Sequence, residues 1–559
     1  MPLLDGISPG YSRSALIDGR LVWLLEIEYA GAIWRWSSRP VEVVGDAGTF
    51  VFGGGLDAMD FDDALAIVSD ASRERSVSVS VLWPSPGVAV LIQRGHDLAA
   101  GIGQLSLWME GETYESRMVV IQGLLSQPEY GNIDEPVSFS VTEQPLDDLA
   151  EIIPPSLQID DVTFPIAPES SHNQRYPLPF FAPGATRPDG VLSPAYAIEY
   201  TAGTKKVDTI LISGFEPVAT TVEIGVWVDH ELQTTTLPVQ TMTDGLGRTV
   251  WVCDITGETA DFTQADEWFV HDWGAGGIRS PYRSGPLRTA GELMRYLADR
   301  SSVRVDRARF ASIASQLAWP VEGYIDDDAT ALGYMIDVLL PILPVSLASG
   351  PQGLHPVLWR YDARREDAVE ALVSGPGVAR VGNVTYQAKP ADLIQRITLE
   401  WGFDAHTRKF TRSTILEPTN PTADTRSHSS AFIRGAASRY NADNPAKWRT
   451  FAAESELIGD EVTAGRFLAW KIRQLGYSPR LVDYEVGQEF GWLELGAVIT
   501  LTDSELYLDE VVALVVGRTM QDTGIWRLQL QILDDLASTE SVGPSQDQTS
   551  YPSWVPGGN

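Results

Sequence analysis

Seven histidines, one cysteine and two tight acidic clusters are the residues of this 559-residue chain whose types could do chemistry. The histidines are His96, His172, His230, His271, His355, His406 and His428. No two have the i, i+4 spacing that sets a pair of metal ligands on one helix face. His271-Asp272 has the makings of a base and its orienting acid, but neighbours in a strand point to opposite faces. Cys253 ends the strand-like run Val250-Trp251-Val252-Cys253, where a buried small apolar residue is the simpler reading. A nucleophile there would need a base beside it, and the sequence points to none. Asp60-Phe61-Asp62-Asp63 and Asp326-Asp327-Asp328 lack the glycine and closing glutamate of a calcium loop, so solvated loops or helix N-caps are expected. Gly274-Ala275-Gly276-Gly277 has no Lys or Ser/Thr at phosphate-loop spacing and reads as a turn. No Gly-x-Ser-x-Gly elbow occurs, and the carboxylates are too numerous for one pair to stand out as a glycosidase acid and base. The sequence therefore nominates no catalytic residue, no cofactor-binding residue and no metal ligand, and a non-enzyme without cofactors is expected.

The charge balance is more telling. Lys and Arg number 41 against 75 Asp and Glu, a net charge of −34. Such a field repels nucleic-acid phosphates, and no basic run reverses it locally. The plain reading is solubility; the sharper one is an acidic surface along which DNA passes without sticking. Hydrophobic residues at 44% and charged ones at 21% describe a folded chain with ordinary cores. A lone cysteine excludes an internal disulfide. Residues 1–20 lack the basic-then-apolar layout of a secretory leader. The most apolar stretch, residues 331–349, contains Asp337, Pro341 and Pro344 and is too short to span a bilayer, so a buried helix and its exit are expected and no membrane insertion.

The elements that must carry these residues are mainly strands. Val77, Val79, Val81 and Trp83 alternate with Ser76, Ser78, Ser80 and Leu82, and Val137, Phe139 and Val141 with Ser138 and Ser140. Residues 21–29, 103–109 and 118–125 add three strands, with Gly53-Gly54-Gly55 and Pro84-Ser85-Pro86-Gly87 as punctuation. Many short strands with Gly/Pro turns predict a barrel or sandwich over residues 1–152. Residues 153–190 read as an extended linker through Pro154-Pro155 and Tyr176-Pro177-Leu178-Pro179-Phe180, its aromatics laid against something. Residues 191–284 form a β-sandwich-like module: Val222, Ile224, Val226 and Val228 alternate, and Asp244-Gly245-Leu246-Gly247 turns into a strand over 249–254. Residues 285–378 are mainly helical: Leu293, Met294, Tyr296 and Leu297 have helical spacing, and helices are expected over 306–317, 329–340 and 365–373. Residues 379–536 return to strands, starting with Ile397, Leu399 and Trp401. One helix interrupts them, with Ala464, Phe467, Leu468, Ile472 and Leu475 on one face; strands follow at 481–486, 498–501, 510–516 and 526–532. Residues 537–559 have the composition of a disordered arm that a partner or neighbouring subunit would order. Trp108 and Trp227 fall opposite the aliphatic rows of their strands, so either both faces are covered or these rings are interface anchors.

Four segments resemble the tail-tip or baseplate hub proteins of long-tailed bacteriophages and gene transfer agents. Gly103-Gln104-Leu105-Ser106-Leu107-Trp108, Arg117-Met118-Val119-Val120-Ile121-Gln122-Gly123 and Pro128-Glu129-Tyr130-Gly131 look like strand pairs of the hub's first barrel. Tyr176-Pro177-Leu178-Pro179-Phe180, Ser193-Pro194-Ala195 and Ile210-Leu211-Ile212-Ser213-Gly214 are similar to an inserted β module. Ser302-Val303-Arg304-Val305-Asp306, Gly323-Tyr324-Ile325 and Gly353-Leu354-His355-Pro356 look like the helical module before the second barrel. Residues 493–503 resemble that barrel's closing strand, with Ala497 where the family commonly has Asp. The resemblance implies two barrel-like domains flanking the sandwich and helical modules, and a homotrimer whose six barrels make a pseudo-sixfold ring. It implies as partners the tail tube or distal tail protein, distal tip or fibre proteins and the tape measure protein, with DNA passing through but not specifically bound. The implied location is the virion tail tip, after synthesis in the host cytoplasm.

Three functional readings follow. The first is a structural hub that closes the tail tube. The second is a tail-associated protein binding a receptor or glycans through residues 191–284, which exposed aromatic stacks there would favour. The third is a cell-wall hydrolase, for which the sequence supplies no convergent site.

Overall fold

The computed structural model describes residues 21–29, 32–64, 76–82, 101–129, 136–142, 150–185, 191–201, 206–348, 352–374, 380–388, 394–417, 427–429, 448–476, 480–487, 490–521 and 525–533. His96, Trp83, the Pro84–Gly87 turn and the C-terminal arm of residues 537–559 lie outside them.

The largest element is a fifteen-stranded sheet built from both ends of the chain. Its N-terminal arc runs Leu56–Ala64, Ser76–Val81, Val137–Thr142, Met118–Leu125, Ile102–Met109, Leu21–Tyr29, Ala32–Ser37, Gly48–Gly54 and Val41–Gly45. Its C-terminal arc runs Arg380–Ala388, Arg480–Val486, Ile525–Ile532 and Leu508–Gln521, with Val498–Asp503 also on Leu508–Gln521. The arcs join where Leu56–Ala64 pairs antiparallel with Leu508–Gln521, Phe61 opposite Met520 and Ala64 opposite Gly517. The two barrel-like ends expected from the sequence are thus arcs of one sheet. The expected multidomain, mainly β architecture is what the chain adopts.

Alternation explains how this sheet is covered on both sides. Ala513 and Val515 share a core with Val77, Val79, Phe139, Leu528 and Leu530, so both arcs curl around one interior. Val512, Leu514 and Val516 face the other way, onto Phe467, Leu468 and Ile472 of the helix Glu461–Leu475. Asp460 caps that helix by accepting from Thr463 N at 2.9 Å.

Trp108 follows the same logic in the N-terminal arc. It is buried with Val22 and Leu24 under Val43 and Phe52 of the hairpin Val41–Gly45/Gly48–Gly54. A salt-bridged cluster closes this second layer. Glu26 accepts from Arg35 Nε at 2.8 Å and from the Tyr114 hydroxyl at 2.5 Å. The Arg117 guanidinium stands 3.6 Å over the Tyr114 ring. Burial first, and then the bond to Glu26, push the Tyr114 phenol up to about 12.

The segment expected as an extended linker is folded onto its neighbours. Ile159, Phe164 and Tyr176 pack against Ile198, Leu211, Val250 and Val252, and Leu178–Phe180 pairs with Gly323–Ile325. Its aromatics are in effect a cover for the outer face of a seven-stranded sheet, ordered Glu231–Pro238, Thr221–Val228, Trp268–Asp272, Ser193–Tyr200, Val207–Ser213, Thr249–Asp254 and Gln240–Thr243. Ser193–Tyr200 bridges its two halves: Ser193 to Ala195 pair with Trp268–Asp272, and Tyr196 onward with Val207–Ser213. Ile210, Ile212 and Cys253 of one half therefore meet Val222, Ile224 and Val270 of the other in a shared core.

The helical region holds Ala290–Arg300 and Arg307–Gln316, capped by Thr289 and Asp306. These helices touch at Gly291, where a Cβ would lie 2.7 Å from Ala314 Cα. The expected helix over 329–340 is a shorter one, Ala331–Tyr334, that widens into a π-turn over Met335–Leu339 and stops at the Pro341 turn. The helix expected over 365–373 is not formed. Arg365–Asp367 is a single tight turn, and Glu370–Val373 is a strand parallel to Val498–Asp503. Only Leu372 of that strand is fully buried, so one apolar side chain and a waiting sheet edge override a weak helical pattern. A four-stranded sheet completes the fold, ordered Ser427–Ser429, Lys409–Glu417, Arg396–Asp404 and Thr450–Glu454.

The shared interior should respond to a single truncation. Leu530 is fully buried, so Leu530→Ala should lower unfolding stability by about 2–5 kcal/mol. Denaturant unfolding should show it as a lower midpoint at unchanged slope.

Candidate functional site: an acidic and aromatic junction

The residues singled out by chemistry are scattered and structurally engaged. Asp272 accepts from Gly274 N at 2.7 Å and so holds the glycine turn, while His271 lies 3.8 Å from Glu223; they do not form a base and its acid. His172 sits 3.9 Å from Asp161, and His355 is buried, 3.4 Å from Gly353 O. His230 occupies the tight turn before Glu231–Pro238 with φ of 69°. His428 is in the strand Ser427–Ser429. Cys253 is fully buried, and burial pushes its thiol up to about 12, which suits a packed residue and not a nucleophile. The glycine turn serves close packing: a Cβ on Gly277 would lie 2.5 Å from Pro179 O.

Two acidic expectations are corrected. Asp60-Phe61-Asp62-Asp63 is neither loop nor cap. It lies inside the strand Leu56–Ala64, paired on one side with Ser76–Val81 and on the other with Leu508–Gln521. Backbone pairing on both sides outweighs the poor strand propensity of Asp. Asp326 is likewise not a solvated loop residue. Its Oδ2 accepts the Tyr196 hydroxyl at 2.7 Å, across 130 residues of chain. Asp327 closes a local turn, accepting from Ala329 N at 3.3 Å, while the following helix is capped by Thr330.

Around Asp326, displaced ionisations gather from several elements. Tyr196 comes from the seven-stranded sheet, Tyr324 from Gly323–Ile325, Tyr334 from the helix Ala331–Tyr334, and Glu456 from the segment after Thr450–Glu454. Desolvation is the largest cause of a raised carboxyl at both Asp326 and Glu456, and Asp327 raises each further. The hydroxyls of Tyr196, Tyr324 and Tyr334 are pushed far up, first by burial and then by the neighbouring carboxylates. Arg408 opposes this, drawing Asp326 and Glu456 down.

The turn that delivers Arg408 joins Arg396–Asp404 to Lys409–Glu417 and is locally rigid. Asp404 is buried; its carboxylate accepts from His406 N at 3.0 Å and Thr407 Oγ1 at 2.8 Å, and its carbonyl from Arg408 N at 2.9 Å. Arg408 takes φ of 51°. The His406 ring stacks on Trp227 at 5.2 Å, meets Phe269 edge-on at 5.0 Å and lies 3.5 Å from Glu267. This accounts for the second tryptophan opposite an aliphatic row: half-buried Trp227 is stacked on by His406, from a different sheet. The sequence carried no signal for this, because the partners lie on different sheets. Among the described residues no group of three or more His, Cys, Asp or Glu could hold a metal ion, and no helix is long and apolar enough to cross a membrane. The junction offers coupled carboxyls and phenols but no base beside a nucleophile.

The sign of its pH dependence follows from Asp326. A raised carboxyl favours the folded chain fully below the ordinary Asp range, and that contribution is lost as pH rises through the elevated value. The Tyr196 hydroxyl offsets part of the loss by donating to the carboxylate. Tyr196→Phe should therefore reduce stability by about 1–3 kcal/mol at neutral pH and by less in acid. Unfolding at pH 4 and pH 7.5 checks this; an equal effect at both counts against it.

No protein-family model matches the chain, and no curated protein matches it. Its structural neighbours are phage tail proteins and a gene transfer agent virion. The tail protein from Neisseria meningitidis MC58 is similar at 10% identity and a TM-score of 0.38, over 91% of this chain and 96% of that one. The prophage MuSo2 43 kDa tail protein from Shewanella oneidensis is similar at 11% identity and a TM-score of 0.34, over 92% and 99%. A chain of the native gene transfer agent particle virion is similar at 10% identity and a TM-score of 0.38, over 66% and 90%.

Proposed function

We propose that this chain is a structural, non-enzymatic hub protein of a phage tail tip or baseplate. Three copies form a ring that closes the tail tube and joins it to distal tip or fibre proteins, with an acidic channel through which DNA leaves. The observation that carries this reading is the continuous sheet built from both ends of the chain. It makes each copy a stiff arc. The two ends of its strand order, Val41–Gly45 and Arg380–Ala388, differ in sequence, as head-to-tail ring contacts require. The net charge of −34 supports the channel, since a wall of carboxylates does not retain phosphates. The tape measure protein and the distal tail protein are the neighbours this placement implies, and the virion tail tip is its location.

The glycan-binding reading draws no support from three of the module's tryptophans: Trp268 and Trp273 are buried, and Trp227 stacks against His406. Domain limits at residues 152, 190, 284, 378 and 536 remain the proposed division, with the first and fifth segments sharing one sheet.

Light scattering of the purified chain over a range of concentrations, followed by negative-stain imaging, should give a three-chain mass and a ring with a central hole. The same ring should not retard duplex DNA at physiological salt. A monomer at every concentration, with tube protein present as well as absent, overturns the hub. Salt-dependent DNA retardation overturns the acidic channel.

A further inference from the structure

We propose that the sheet edge at Glu370–Val373, with Tyr507 as its anchor, is a docking surface for the hairpin of residues 41–54 of a second copy of this chain. This rests on the hub reading and names the contact that joins one copy to the next. The fifteen-stranded sheet branches at Leu508–Gln521, and the branch ends on Glu370–Val373. Among the described residues this strand pairs only with Val498–Asp503, so its other edge is open. The Ala371 N–H is met by the strand's own Glu370 carboxylate at 3.0 Å, a local cap that an incoming carbonyl can replace. Alternation turns Leu372 into the curled interior and leaves Val369, Ala371 and Val373 exposed in a row.

Tyr507 stands at the same end of these strands. Val373 pairs with Thr502, and the turn to Leu508–Gln521 begins at the next residue, Asp503. Asp503 is fully buried. Its Oδ1 accepts from Glu505 N at 2.9 Å and Leu506 N at 3.3 Å, and its Oδ2 from the Tyr484 hydroxyl at 3.0 Å. Leu506 and Leu508 pack toward the interior, and Tyr507 between them is 95% exposed with φ of 55°. Glu510, with φ of 46°, is tied back by its N–H to Thr502 Oγ1 at 3.0 Å. A bulky residue takes this left-handed conformation only where its surroundings impose it. Here they hold the backbone and leave the ring uncovered, which is the arrangement of an aromatic interface anchor.

The occupant is read from the other arc of the same sheet. Val41–Gly45 ends the strand order and, among the described residues, pairs only with Gly48–Gly54. Val43 and Phe52 point into the core beneath the hairpin, so the alternate positions face outward, and Val44 and Val51 are 62% and 65% exposed. They are diagonal neighbours on that face, since Val44 pairs with Thr49 and Glu42 with Val51. Each chain thus carries two unlike open edges with exposed apolar residues, one in each arc. A single self-complementary edge would pair two copies and stop at a dimer, whereas two unlike edges pair head to tail and propagate round a ring. Strand addition supplies backbone hydrogen bonds along both edges, and the valines supply apolar burial. Copies that each carry −34 repel one another, so their contact must come from such short-range bonds and not from net charge.

Cross-linking of the full chain with a bifunctional maleimide tests the contact. Cys253, the chain's only cysteine, is fully buried, so introduced surface thiols carry the signal. With Val44→Cys and Val373→Cys in one chain, cross-linked species should run up to three chains. Each single variant alone should stay uncross-linked, and an equal mixture of the two should stop at two chains. Tyr507→Ser should weaken association about tenfold or more by light scattering, at an unchanged unfolding midpoint. The docking is overturned if the Val373→Cys variant links to itself, or links to added tube protein and not to Val44→Cys copies. It is equally overturned if Tyr507→Ser associates as wild type does. A three-chain mass without cross-links in the double variant overturns this contact and leaves the hub reading standing. A monomer at every concentration, with tube protein present as well as absent, overturns both.

Discussion

Four backbone pairs, Phe61 to Ala64 against Met520 to Gly517, carry the architecture. They bring together parts of the chain more than four hundred positions apart. Closing so large a loop costs little more than closing a short one, because the penalty grows only with the logarithm of length. Registration is the harder demand. A slip of one residue would turn the Ala513 and Val515 face toward the helix Glu461–Leu475 and the Val512 and Leu514 face toward the curled interior. Both faces are apolar, so alternation alone would tolerate such a slip. The flanking pairs of Leu508–Gln521 with Ile525–Ile532 and Val498–Asp503, each with its own bulge, pin the strand from both sides.

Once the ends are joined, everything between them is an insertion into one sheet. This accounts for the dense packing of residues 153–185. A free linker would leave the outer face of the seven-stranded sheet open to water. Instead Tyr176, Phe164 and Ile159 cover it, and Asp244, held by Arg248 at 2.6 Å and by the Tyr176 hydroxyl at 3.0 Å, locks the cover to a turn. A buried carboxylate is tolerable there because each oxygen is engaged: Oδ1 by backbone N–H groups of Leu246 and Arg248, Oδ2 by the side chains.

Period-two patterns made the strands legible, since Val77, Val79 and Val81 or Leu528 and Leu530 lose their apolar surface to one face. The long amphipathic helix Glu461–Leu475 was legible for the same reason at a different period. What the pattern does not encode is which sheet a strand joins. Asp60-Phe61-Asp62-Asp63 reads as a loop because Asp is a poor strand former, and only the partner strands on either side make it one. Glu370–Val373 reads as helix because four residues cannot distinguish the two periods. The junction was illegible for a stronger reason. Tyr196, Trp227, Asp326, His406 and Glu456 are individually ordinary, and their meaning comes from convergence of elements with no fixed spacing.

The chemistry that is legible by its lack of pattern fits the same physics. An acidic chain must keep its carboxylates either in water or in bonds that prefer them ionised, and most of those with displaced ionisation obey. Asp160, Asp254 and Asp367 accept backbone N–H groups and are drawn down. Asp326 and Glu456 go the other way, because they are desolvated beside a third carboxylate. A position that works against the protein at neutral pH persists only where the surrounding packing over-determines it, and here three packed layers meet.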